Sequence, residues 1–155
     1  MDESMERAHK VFSTLCETLE QLKMNFSKNE DRLTIDIGMQ GEDLPMFMTI
    51  YIHADRQLIA LISHLPFTIP EDKMVDVAIA TCAVNNKLHD GCFDYDILGG
   101  RMLFRMTSSF VESDIGNELF TYMLAISGNV IDDYNDKFLM LAKGMINVEN
   151  FVSSI

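Results

Sequence analysis

Residues 83–107, AVNNKLHDGCFDYDILGGRMLFRMT, are the most informative part of the sequence about its architecture. In it a helical run ends at Asp90-Gly91 and gives way to two alternating strands joined at Gly99-Gly100. A two-residue turn at these glycines sets one register for the whole hairpin. It places Asp94 opposite Arg105 on one face. It also predicts three apolar pairs on the other face: Ile97 with Met102, Tyr95 with Phe104, and Phe93 with Met106.

Composition predicts one domain, residues 1–155, because 155 residues with 48% apolar content can bury one core. Twenty-four acidic and twelve basic residues give a net charge of −12. This excess disfavours nucleic acid and anionic membrane surfaces as partners. The longest apolar runs are a handful of residues, far below the ~20 that span a bilayer. We therefore expect neither nucleic acid nor a membrane as a partner.

The start of the chain and its cysteines predict a cytoplasmic location. The first ten residues, MDESMERAHK, are acidic and polar, with no basic stretch leading into an apolar run. Cys16, Cys82 and Cys92 are odd in number, widely spaced and without a Cys-x-x-Cys motif. Such a set is typical of a reducing compartment rather than of a disulfide framework.

The first half of the chain predicts a helix followed by three strands. Residues 4–26 carry apolar side chains at a spacing of three to four, which predicts an amphipathic helix. Alternating segments then follow at 33–37 and 46–53, and a third strand is predicted at 57–65. A tight turn at Asp55-Arg56 opposes Ile52 to Ile59, so these strands are predicted to form an antiparallel meander.

The third of these strands is apolar on both of its faces, which indicates that both are covered. The helices of the domain can cover one face. The other face must be covered either by a further helix of the same chain or by a second subunit, and both alternatives remain open. The side chains of this possible partner or dimer surface are Phe47, Tyr51, Leu58, Ala60 and Ile62.

The second half predicts a helix, the hairpin and a long helix. Thr68 and Glu71 have the spacing of a capping box, and the helix after them is predicted to present Met74, Val75, Ala78, Ile79 and Cys82 inward. After the hairpin, helical spacing is kept from Ile115 to Leu141, across about thirty residues, which is roughly 45 Å at ~1.5 Å per residue. This exceeds the ~40 Å expected across such a domain, so we predict a kink or break at Gly128. The fold class is α+β: helix, three-stranded antiparallel meander, helix, β-hairpin, long C-terminal helix.

No motif in the sequence indicates an active site. There is no Gly-x-Ser-x-Gly, phosphate-binding loop or His-Glu-x-x-His. We predict no catalytic residue, no cofactor and no metal site. Asp94 and Asp96 share a strand face, as paired catalytic carboxylates would. We interpret Asp94 instead as the partner of Arg105 in a structural ion pair. Asn85 and Asn86, at the end of the middle helix, are interpreted as ties between that helix and the hairpin.

Four segments, taken in order, resemble the YbjN family, whose fold is that of the type III secretion chaperones. They are residues 65–71 (LPFTIPE), 84–88 (VNNKL), 91–96 (GCFDYD) and 99–105 (GGRMLFR). The resemblance implies a bacterial, cytosolic, non-enzymatic protein, discussed in that family as a regulator. It also implies a shape related to dimeric chaperones that hold extended segments of effectors. The family has no catalytic residues to carry over.

The sequence thus favours a non-catalytic binding or regulatory protein of the YbjN type that forms a homodimer. The alternative is a chaperone or adaptor that shields an extended segment of a partner protein. A third hypothesis, of another class, is an enzyme whose site is assembled from scattered residues such as His53, Asp94 and Arg105.

Overall fold

Helices and strands follow one another in the predicted order in the computed structural model, which describes residues 2–155. Two short elements, the first strand and the last helix, were not predicted. The elements are α1 (Glu3–Gln21), β1 (Phe26–Asn29), β2 (Thr34–Gln40), β3 (Pro45–His53), β4 (Leu58–Thr68), a 3-10 turn (Glu71–Lys73), α2 (Met74–Asn85), β5 (Cys92–Asp96), β6 (Arg101–Ser109), α3 (Asn117–Ala142) and α4 (Val148–Ser154).

The first helix ends earlier than its apolar spacing indicates. Glu3 and Glu6 lie in its first turn, where carboxylates interact favourably with the helix dipole. After Gln21 the chain turns through Lys23, which has a left-handed φ of 54°. Phe26, predicted as the end of the helix, begins β1 instead and pairs with Ile37 of β2.

The six strands form one antiparallel sheet in the order β1-β2-β3-β4-β6-β5. The predicted turn between β3 and β4 is confirmed in register, because Ile52 lies opposite Ile59 and Ile50 opposite Leu61. The predicted meander is therefore present as β2, β3 and β4, and the hairpin of β5 and β6 joins it along β4.

The predicted register of that hairpin is wrong by two positions. Asp96, not Ile97, is the last paired residue of β5, and it lies opposite Arg101. The loop has four residues because Asp96 organises it: its backbone carbonyl accepts from Gly100 N–H at 2.8 Å, and its side chain accepts from Gly99 N–H at 3.0 Å. A shift of two positions preserves the side-chain alternation. Phe93 and Phe104 consequently still share the buried face, now directly opposite each other.

All four helices pack on one face of the sheet and share a single core with it. Its strand residues are the alternate apolar positions of β2 to β6, such as Ile35, Ile50 and Leu61. At one end the core is aromatic: the Phe93 and Phe138 ring centroids lie 5.2 Å apart, as do those of Phe138 and Phe151. The last helix, α4, thus contributes Phe151, which is fully buried, to this core.

The predicted inner face of α2 is wrong. Its buried side chains are Val77, Ala80, Thr81 and Val84, whereas Val75 is 64% exposed, Ile79 is 49% exposed and Cys82 is exposed. Apolar residues lie on nearly every side of this helix, so their spacing does not indicate which side is buried. The predicted capping box is also absent, since Thr68 belongs to β4 and the α-helix begins only at Met74.

A break at Gly128, one of the two predicted alternatives, is absent, because α3 runs as one helix of 26 residues. At ~1.5 Å per residue this is about 39 Å, which fits the domain because the helix begins at Asn117, later than its apolar spacing indicates. Gly128 is buried in the helix interior and lies near Met39 of β2. None of the helices in residues 2–155 is long and apolar enough for a membrane span.

Candidate functional site: the open face of the sheet

The face of the sheet turned away from the helices, here called the open face, carries the five predicted surface residues. Alternation along β3 and β4 places Phe47, Tyr51, Leu58, Ala60 and Ile62 together on it. None of the five belongs to the core that the helices share, and Phe47 is 61% exposed. The first alternative, a cover supplied by a helix of the same chain, is therefore wrong for residues 2–155.

Strand pairing fixes the neighbours of these side chains. Tyr51 lies opposite Ala60, and Ala60 lies opposite Thr107 of β6. Ala60 is only 7% exposed although no helix covers it, because larger neighbours surround its methyl group. Leu58 and Ile62, two positions to either side, are half-buried. The centre of the open face is thus an apolar strip along β4, flanked by aromatic side chains of β3.

An ion pair borders this strip on the β6 side. Arg105 lies opposite Ile62 and donates to Asp94 from Nε at 2.7 Å and from Nη2 at 3.2 Å. The predicted ion pair is thus present, although on β5 it is Cys92, not Asp94, that lies opposite Arg105. Hydrogen bonding from Arg105 lowers the pKa of Asp94 and in turn raises the pKa of the guanidinium. Both groups are charged at neutral pH, so this border is polar but electrically balanced.

The border on the β2 side is a single carboxylate. Asp36 Oδ1 accepts from the Thr49 hydroxyl at 2.6 Å, and Thr49 lies opposite Ile62. The chain pairs no cation with Asp36 within residues 2–155. The open face therefore combines an apolar centre with one unbalanced negative charge at its rim.

The structure does not bring the scattered catalytic candidates together. His53 lies opposite Leu58, which lies opposite Ser109 at the far end of β6. Arg105 is four residues further along β6, so strand rise and strand spacing separate it from His53 by about 16 Å. A general base must come within hydrogen-bond reach of its partner. His53 consequently cannot act together with Asp94 and Arg105 in this arrangement.

The cysteine beside the ion pair, Cys92, is not activated as a nucleophile. Burial, followed by the charge of Asp94, raises the pKa of the Cys92 thiol. A thiol is a nucleophile only as its thiolate, and a raised pKa makes the thiolate scarcer at neutral pH. In residues 2–155, no three His, Cys, Asp or Glu side chains are grouped so that they could hold a metal ion.

Further apolar side chains that the sequence reasoning did not expect at the surface lie on α2 and at the tip of the β5–β6 hairpin. Val75, Ile79 and Cys82 follow one another at helical spacing on the outside of α2, and Leu98 at the hairpin tip is 99% exposed. The composition of α2 already indicated an apolar outer side, because its twelve residues include a single charged side chain, Asp76. The wrong hairpin register assigned Ile97 to a strand, which hid the exposed tip.

The tie predicted at the end of α2 is made by Asn85 and not by Asn86. Asn85 Nδ2 donates to the Phe93 carbonyl, and Phe93 N–H donates to Asn85 Oδ1, both at 2.8 Å. Asn86 is exposed. Asn85 forms the bonds and Asn86 does not, because only the side chain of residue 85 faces the neighbouring strand β5.

Comparison with solved structures identifies the fold. E. coli YbjN, proposed to be a transcription regulator, superimposes with a TM-score of 0.58 at 14% identity, over 81% of this chain and 92% of that one. The ExsC–ExsE complex gives 0.56 at 15% identity, over 86% and 96%. The complex of the chaperone SchA with its effector HopA1 gives 0.47 at 16% identity, over 88% and 94%. No protein-family model and no curated protein matches the sequence. The chain has the YbjN and type III secretion chaperone-like fold, as its sequence motifs predicted.

Proposed function

We propose that this chain is a non-catalytic protein-binding domain, located in the cytosol, that uses its open face to hold another protein chain. The observation that carries the proposal is the bare apolar strip of β4. Leu58, Ala60 and Ile62 are apolar on a face that the helices of residues 2–155 leave uncovered. Apolar side chains gathered on one sheet face mark an interaction site more often than scattered ones do.

We propose a second copy of the chain as the first occupant of this face. Two sheets can pack face to face at about 10 Å, with their side chains interdigitating. In such a homodimer Phe47 and Tyr51, exposed in one copy, would fill the space beside the half-buried Leu58 and Ile62 of the other. The balanced Arg105–Asp94 pair would lie near the rim, where it costs little to keep partly hydrated.

The second candidate function is a chaperone or adaptor that shields an extended segment of another protein. Two features favour it. A protein with this fold has been solved as a complex, ExsC–ExsE. The rim of the open face carries the unbalanced carboxylate of Asp36, on a chain of net charge −12. An apolar segment with flanking basic residues would match both the strip and this charge.

The test is the substitution Ile62→Asp, which places a charge in the strip without entering the core. We expect the variant to keep the wild-type circular dichroism spectrum but to halve its mass in light scattering, or to lose its co-purifying protein. Val75→Asp is the matched control, since it puts the same charge on an exposed β-branched residue of α2.

The two variants separate the possible surfaces. Loss of association in Ile62→Asp alone supports the open face. Loss in Val75→Asp alone would contradict the proposal, because it would move the contact to α2. A halved mass favours the dimer, whereas an unchanged mass with loss of a stoichiometric second protein favours the adaptor.

A further inference from the structure

The sheet has two outer edges, one formed by β1 and the other by β5. An edge strand presents unpaired N–H and C=O groups to which another strand can bind. In an antiparallel ladder each residue directs both of its backbone groups to the same side. Phe93, in the middle of β5, lies opposite Phe104 of β6 but directs its two groups away from β6, toward α2.

Asn85 meets both of those groups. Its carboxamide donates to the Phe93 carbonyl and accepts from the Phe93 N–H, each at 2.8 Å. A residue of an added strand would form this same pair of bonds, one donated and one accepted. The side chain of Asn85 thus occupies the position that the backbone of a seventh strand would need.

The position of this amide is fixed from both sides. Asn85 is the last residue of α2, and its neighbour Val84 is completely buried in the core. Phe93 is also buried, with its ring 5.4 Å from that of Phe104. Because both partners are anchored by core side chains, the two hydrogen bonds need little further ordering to form.

We infer that Asn85 closes the β5 edge at Phe93, in the middle of the strand, so that another strand cannot pair with β5 there. The opposite edge has no such device: no side-chain hydrogen bond within residues 2–155 reaches the backbone of Phe26, Ser27 or Lys28 in β1. A strand that joins this sheet therefore joins it at β1. The inference concerns the edges and stands independently of the proposed use of the open face.

The test compares Asn85→Ala with Asn86→Ala, two substitutions of the same residue type at neighbouring positions. In the wild-type protein the Phe93 amide hydrogen is expected to exchange slowly. In Asn85→Ala at low concentration it should exchange at least tenfold faster, while Asn86→Ala should match the wild type.

Closure of the edge predicts a second result that a simple tie between helix and hairpin does not. As its concentration rises, Asn85→Ala should increase in mass by light scattering, and its Phe93 amide should become protected again as an added strand replaces the lost carboxamide. The mass of Asn86→Ala should follow that of the wild type. An Asn85→Ala protein whose mass follows the wild type at every concentration would overturn the inference.

Asn85→Asp provides the test if the alanine variant does not fold. It has nearly the same shape and can still accept from the Phe93 N–H, but it cannot donate to the carbonyl. We expect association between that of the wild type and that of a fully open edge. Wild-type mass in Asn85→Asp, or fast exchange of the Phe93 amide in the wild type itself, would contradict closure.

Discussion

The two faces of β4 are built from the same kinds of side chain and have opposite surroundings. Ile59 and Leu61 point toward the helices and are fully buried, whereas Leu58 and Ile62, their immediate neighbours, point to the open face and stay half-exposed. The difference lies in the connections, since every helix of residues 3–154 packs against the same face. The apolar composition of β4 thus indicates that both of its faces are covered, but it does not indicate whether the same chain or another molecule covers the open face.

Removal of one phenylalanine from each face should give the largest difference between the two faces. Phe104→Ala on the covered face should lower the free energy of unfolding by about 3–5 kcal/mol, because Phe104 is fully buried and packs edge-on against Phe93. Phe47→Ala on the open face should change it by less than about 0.5 kcal/mol, since that ring is 61% exposed.

Urea unfolding of the two variants measures the contrast directly. The comparison would fail if Phe47→Ala destabilised the isolated chain as much as Phe104→Ala does. That result would mean that the open face is already covered within a single copy.

A smaller effect of opposite sign is expected in the layer of helices. Gly128→Ala should raise the free energy of unfolding by about 0.5–1 kcal/mol, because alanine favours a helix interior more than glycine does. An added Cβ would meet only Met39 Cε, at 3.5 Å, which is ordinary contact. Thermal unfolding would show this as a higher melting temperature. A lower one would mean that α3 needs the flexibility of glycine, as the sequence analysis expected.

The smallest effect concerns the border of the open face. Arg105 holds the folded pKa of Asp94 below its unfolded value, so the pair stabilises the fold above about pH 3.9 and loses this contribution as the pH falls through the folded pKa. Both side chains are nearly half-exposed, and solvent screens the pair. Asp94→Asn should therefore cost about 0.2–1 kcal/mol at pH 7.

The pH dependence of this stability difference shows whether it arises from the charge of Asp94. The difference in urea midpoint between the wild type and Asp94→Asn should shrink as the pH is lowered below the folded pKa of Asp94. A difference that stays constant from pH 7 into acid would show that it does not arise from the charge of this carboxylate.

Strand alternation was strong enough for the sequence to predict most of the sheet. The β3–β4 register followed from one turn, and the five residues of the open face were assigned together correctly because side chains alternate with a period of two. The β5–β6 register failed because two glycines were taken as the turn. The side chain of Asp96 instead closes a four-residue loop, and nothing in an alternating pattern reports this.

The remaining errors have separate physical causes. In α2 the apolar residues surround the helix, so the inward face depends on how the helix docks and not on its own spacing. The strand β1 is only four residues long, too short for periodicity to indicate it. The role of Asn85 was predicted only as a tie, because the edge it closes exists only once the strand order of the sheet is known.

Binding of another protein chain at the open face can be measured with two tyrosines of similar exposure on different sides of the molecule. Tyr51 lies on the open face and is 36% exposed, whereas Tyr122 lies on α3 and is 46% exposed. Each would be replaced in turn by a photoreactive phenylalanine analogue, and the protein would be irradiated both in purified form and in a lysate of its source cells. We predict protein adducts from position 51 alone, with twice the chain mass for a homodimer, or the chain mass plus that of a second protein for an adaptor. Adducts from position 122 alone, or equally from both positions, would contradict the account.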